Sequence, residues 1–242
     1  MRRSGLFFLL AAAVAFAPAA AHALTFSPSI LFDVEGGAGP VLLNPLGSSS
    51  TSGDVTTWTL NAATGVEGVS VDSWSAQLKE DPFVTNNIVV SNPTAFTQTF
   101  VATVLLPIPA FSYDEVISSS IGVTTTDSNG NNVLSFANSG VIPIYQGTVN
   151  GSTVLSLNPP GLPLTTASCT VPFPGCTATS ATGIASLAVT PGIATSLGIT
   201  LTFTLSPGDS AGITSRFEIV PEPRLALLLI SGFAAFAALR TR

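Results

Sequence analysis

The sequence predicts an all-β fold, an antiparallel β-sandwich or jelly roll, and three observations predict it. Apolar and polar residues alternate with period 2 between turn signals, as half-buried strands require, and Ile199-Thr200-Leu201-Thr202-Phe203-Thr204-Leu205 is the cleanest such run. Serine and threonine supply 57 of the 242 residues, so the 46% hydrophobic content is interleaved with hydroxyls. No convincing amphipathic helix lies between the two ends, and the 18 prolines and 21 glycines fall mainly between the alternating runs. With 8% charged residues against a usual ~25%, the composition is not that of an ordinary cytosolic enzyme.

The N-terminus reads as a targeting segment. Arg2 and Arg3 form a positive start, Leu6 to Phe16 is an apolar run, and Ala21-His22-Ala23 places small residues at −3 and −1 of a signal-peptidase site. The run is 11 residues, too short for the ~20 of a membrane span, so residues 1–23 are expected to be a signal peptide cleaved before Leu24. Gly5 and Leu6 fit twin-arginine export poorly, and ordinary Sec export is the expectation.

Expected strands then follow in order: Val55 to Asn61, Val66 to Leu78, Phe83 to Ser91, Ala95 to Leu106, Gly122 to Thr126, Asn132 to Ala137, Val141 to Val149, Ser152 to Leu157, Ile199 to Leu205 and Ile213 to Ile219. In Ala95 to Leu106 one face reads Phe96, Gln98, Phe100, Ala102, Val104, Leu106; in the last strand Ile213, Ser215, Phe217 and Ile219 oppose Arg216 and Glu218. Gly36 to Pro40 and Gly47 to Gly53 read as flexible loops, and Asn158 to Pro163 opens a long irregular stretch through the cysteines. No linker divides residues 24–219, which are expected to form one exported domain.

At the C-terminus, Pro221-Glu222-Pro223 leads into Leu225 to Leu239, fifteen uncharged and mostly apolar residues, and then Arg240-Thr241-Arg242. The run covers roughly 22 Å as a helix against a ~30 Å hydrocarbon core, with Arg224 and Arg240 placed to snorkel at its ends. It reads as a short membrane stop with Arg240 and Arg242 inside. This tripartite tail, residues 220–242, resembles the PEP-CTERM sorting signal. The resemblance implies recognition of Pro221, Glu222 and Pro223 by an exosortase, a membrane enzyme, with Leu225 to Leu239 as transmembrane helix and Arg240 and Arg242 as basic stop. Arg224 departs from the small or apolar residue more usual there. A second stretch, carried by Trp74, Leu78, Asp81, Pro82, Phe83, Asn92, Pro93, Thr99, Phe100, Pro107 and Ile108, resembles the exported domain of a group of PEP-CTERM proteins, which implies a β-sandwich without implying an activity.

Between the two end signals, residues 24–220 carry twelve acidic side chains against Lys79 and Arg216, a net charge of −10. A phosphate backbone would repel that surface, so no nucleic acid partner is expected. The single histidine, His22, leaves with the signal peptide, which removes Ser-His-Asp, Cys-His and histidine-metal constellations from the mature chain. No catalytic residue, cofactor or metal is therefore expected. A carboxylate-pair hydrolase would need two acids facing each other in one cleft.

Cys169 and Cys176 stand at the ends of an eight-residue loop, themselves included, with two prolines and a glycine, and once exported suit a local disulfide. Asp127-Ser128-Asn129-Gly130-Asn131-Asn132 alternates oxygen ligands as a calcium loop does, but its Asn129-Gly130 is the strongest hairpin signal and outweighs that reading. Thr200, Thr202 and Thr204 form one hydroxyl row, which is no ligand array on a single strand. The expectation is a noncatalytic, exosortase-processed cell-surface or matrix protein with a structural or adhesive role in extracellular polysaccharide. The alternative is a carbohydrate-binding module using exposed aromatics such as Trp58 or Tyr145.

Overall fold

A computed structural model describes residues 28–79, 82–113, 116–129, 133–137, 139–158, 165–168, 177–188 and 192–220. Ala21 and Ala23, Cys169 and Cys176, Pro221 to Pro223, the run Leu225 to Leu239, and Arg240 and Arg242 lie outside the described residues. The chain is all-β. In order the strands are β1 (Ser29–Val34), β2 (Val41–Leu42), β3 (Gly47–Ser52), β4 (Val55–Leu60), β5 (Thr64–Val66), β6 (Val69–Lys79), β7 (Phe83–Ser91) and β8 (Gln98–Tyr113). They continue with β9 (Val116–Thr126), β10 (Val133–Ala137), β11 (Tyr145–Val149), β12 (Ser152–Leu157), β13 (Thr165–Ser168), β14 (Thr177–Ala188), β15 (Gly192–Leu205) and β16 (Ser210–Val220). The helical turn Asn44–Leu46 joins β2 to β3.

Two antiparallel sheets result. One runs β12-β11-β15-β8-β1-β2, with β10 on β15 and β13 on β10; the other runs β14-β9-β16-β7-β6-β4-β3, with β5 on β6. Two consecutive pairs, β8–β9 and β15–β16, each step from the first sheet to the second. They pair with one another in both sheets, β8 with β15 and β9 with β16. The sheets are thereby interlocked and share one hydrophobic core, as sheets packed face to face do.

Alternation places the core. In β7, Val84, Asn86, Ile88 and Val90 point in, and in β16 Ile213, Ser215, Phe217 and Ile219 do so as expected. A chain of rings crosses between the sheets: Trp58 on Trp74 and Trp74 on Phe32 at 6.2 Å each, Phe32 on Phe100 at 5.9 Å, then Phe203 stacked on Phe100 at 5.2 Å and on Phe136 at 4.9 Å. Edge-to-face and offset contacts at these separations are the favourable ring geometries. The buried Trp74 indole N–H donates to Asn86 Oδ1 at 2.5 Å, which accounts for a polar residue on an inward position.

Several expected elements shift. The expected strand Val66 to Leu78 is split by a tight hairpin at Glu67 and Gly68, both at positive φ, as a two-residue primed turn demands. Phe96, expected on the inner face of its strand, is 74% exposed because β8 begins only at Gln98. Gly47 to Gly53, expected as a loop, contains the whole of edge strand β3, held by its ladder to β4. Gly130 of the expected Asn129-Gly130 turn lies outside the described residues, and β9 and β10 do not pair as a hairpin. Both edges of β9 are taken by β14 and β16, and the chain leaves for β10 in the other sheet.

Candidate functional site

Three connections meet at one end of the sandwich. β7 ends at Ser91 and turns through Asn92 toward β8; β15 ends at Leu205 and turns through Ser206 to Asp209 into β16; β9 ends at Thr126 and leaves through Asp127, Ser128 and Asn129. Ser210 pairs with both Ser91 and Thr126, which brings the three together. Asn92 binds the corner: its side-chain amide donates to the carbonyls of Phe96, Leu205 and Ser206 at 2.8, 2.9 and 3.1 Å. Its backbone N–H donates to the Asp209 carbonyl at 2.8 Å, and its carbonyl accepts from Gly208 N–H at 2.6 Å. Asn129 Nδ2 donates to the Pro207 carbonyl at 2.8 Å, and the Ser128 and Ser210 hydroxyls lie 3.1 Å apart. Buried backbone carbonyls at a turn require such partners.

Inside this frame sit two acids, Asp127 at 2% and Asp209 at 1% exposure. Burial pushes the Asp209 carboxyl up to about 6; the hydrogen bond from the Ser206 hydroxyl to Oδ2 opposes this, the charge of Asp127 adds to it, and the Ser128 amide opposes it. Oδ1 accepts no hydrogen bond of normal geometry. The two acids thus share one space, as a carboxylate-pair hydrolase would need. Their burial, however, gives no cleft in which a sugar could reach them. Among the described residues no group of three or more His, Cys, Asp or Glu is placed to hold a metal.

Sequence reasoning singled out Asp127 but not Asp209, whose pairing depends on the β9–β16 register. The aromatics expected to stack on sugar are core residues instead: Trp58 is 2% and Tyr145 0% exposed, so neither offers a binding platform. Of the threonine row, Thr202 is buried and Thr204 bonds the Ala137 carbonyl, so no flat hydroxyl array faces solvent.

Tyr145 instead ties the two sheets together. From β11 its phenol donates to the Arg216 carbonyl of β16 at 2.9 Å and lies 3.1 Å from Ser119 Oγ of β9. Burial pushes its pKa well above 10, with the Ser119 contact opposing. An unfolded tyrosine ionises near pH 10. The stability due to the neutral buried phenol is therefore complete below pH 10 and is lost as pH rises toward the folded value, because there the unfolded chain holds fewer protons. Urea midpoints measured from pH 8 to 11 are expected to fall more steeply for the native protein than for Tyr145→Phe, which costs about 1 kcal/mol at pH 8 from its lost hydrogen bonds. Parallel curves would contradict this assignment.

No protein-family profile matches the chain, and no curated protein matches it. Among solved structures, similarity was found to a structure of infectious bursal disease virus Gt strain, at 10% identity and a TM-score of 0.16, covering 83% of this chain and 65% of that one. A structure of the infectious bursal disease virus VP2 subviral particle gives 11% identity and a TM-score of 0.12, covering 83% of this chain and 66% of that one. The chain spans just under two thirds of either, and likenesses this loose carry no argument about it.

Proposed function

We propose that the protein is exported and sorted to the cell surface or extracellular matrix, where it acts as a noncatalytic structural or adhesive component of exopolysaccharide. It is a β-sandwich flanked by a signal peptide, removed by signal peptidase after Ala23, and by a membrane-inserted sorting helix presented to an exosortase. One observation carries this reading: Pro221-Glu222-Pro223, the apolar run Leu225 to Leu239 and the basic Arg240-Thr241-Arg242 stand in order behind an exported-type domain. The position of β16 is compatible with it, since this inner strand of its sheet reaches Val220 and a cut at the Pro-Glu-Pro would leave its ladders intact. The exposed β3, Gly-Ser-Ser-Ser-Thr-Ser, supplies hydroxyls suited to hydrogen bonding with polysaccharide.

The test is intact mass and cell fractionation of the native protein in hosts with and without the exosortase. A species beginning at Leu24, lacking the tail and found outside the cell only when the exosortase is present is the expected result. A full tail retained in the inner membrane in both hosts would overturn the proposal.

A further inference from the structure

Asp127 and Asp209 pose an electrostatic problem. One directly follows β9 and the other directly precedes β16, each one residue beyond the Ser210–Thr126 pair at which their ladder ends. Both are buried. A carboxylate withdrawn from water needs a positive partner or full hydrogen bonding. Asp209 has half of this: Ser206 serves Oδ2, and Oδ1 is a buried oxygen with no hydrogen bond of normal geometry. The basic side chains of the described residues are engaged at the other end of the same sheet, Lys79 with Asp54 at 3.1 Å and Arg216 with Glu218 at 2.8 Å. Arg216 lies roughly 20 Å along β16 from Ser210 at ~3.4 Å per residue.

We propose that Asp127, Asp209 and the Ser206 hydroxyl hold a calcium ion at this corner of the sandwich. The ion supplies the missing partner of Asp209 Oδ1 and neutralises two like charges held side by side. Carboxylate and hydroxyl oxygens select a hard cation, and the described residues contain no histidine or cysteine to favour zinc or copper. Calcium accepts an irregular set of oxygens drawn from turns, whereas magnesium demands near-ideal octahedral geometry. Two acids give weak binding, on the order of 10⁻⁴ to 10⁻³ M, the range of extracellular modules. The bound ion fastens the exit of β9 to the entry of β16. This inference does not depend on the sorting tail.

The test uses the purified full chain, with equilibrium dialysis against radioactive calcium and thermal unfolding in calcium chloride or chelator. Expected are one calcium per chain and a rise in Tm of roughly 3–5 °C at tenfold over Kd. Asp209→Asn and Asp127→Asn, with near-UV circular dichroism unchanged, each weaken binding at least tenfold. Ser206→Ala keeps both acids and is expected to weaken binding severalfold, which tests the site even if an acid variant fails to fold. The proposal is overturned by no saturable binding below about 10 mM, by binding that survives these substitutions, or by magnesium filling the site as tightly.

Discussion

Trp74→Ala is expected to lower the unfolding free energy by about 4–5 kcal/mol, at the upper end for loss of a large buried aromatic. Trp74 joins the rings of both sheets, touching Trp58 on its own sheet and Phe32 on the facing one. Its removal leaves a cavity at that junction and strips Asn86 Oδ1 of its donor inside the core. Asn86 Nδ2 already lacks a partner, so the amide would be left with no hydrogen bond from its side chain that is seen in the native core. Trp74→Phe keeps part of the ring and loses the indole N–H, and is expected to cost about 2 kcal/mol. Urea denaturation followed by circular dichroism measures both; a loss below 1 kcal/mol for the alanine variant would contradict the packing described.

Gly147→Ala is the second large effect, and it is large because a single methyl has nowhere to go. Gly147 lies on β11 facing β16 across the core, and a Cβ there would stand 2.7 Å from Cδ2 and Cε2 of the Phe217 ring. Phe217 is fully buried and cannot swing into solvent. Overpacking of this kind costs typically 1–3 kcal/mol, and about 3 kcal/mol is expected here. Phe217→Leu in the same chain is expected to recover part of the loss, so the double mutant is less damaged than the sum of the single ones. Strict additivity in a double-mutant cycle would show that the two residues do not meet.

How far the sequence could be read depended on which force shaped each element. β7 and β12 coincide with the expected Phe83 to Ser91 and Ser152 to Leu157, because burial of one face writes period 2 into the residues. β3 has no large apolar side chain and five exposed positions; it is held to β4 by the backbone ladder and a Thr51–Thr56 hydroxyl contact, which leave no trace in hydropathy. β14, twelve residues of alanine, serine, threonine, glycine, isoleucine and leucine, lacks the large alternating side chains that would reveal it. Phe96 shows the converse, an aromatic in phase with a strand that starts two residues later. The candidate site was half legible: Asp127 stands in a recognisable oxygen-rich turn, while Asp209 reaches it through a register set 82 residues away, which no local pattern encodes.

The interlocked pairs also set when this chain can become a protein at all. β8 finds its partner in β15 and β9 in β16, with Thr103 opposite Thr200 and Ser119 opposite Phe217, each close to a hundred residues apart. Closing such separations costs chain entropy before any contact is gained, which places folding on the slow, millisecond-to-second side for β-proteins. As the polypeptide emerges, the first 190 residues contain both inner strands but neither of their mates, so no partial domain can close ahead of the rest. Joining the two sheets around one core waits for β15 and β16, while pairs such as β6–β7 and β9–β14 need neither of them.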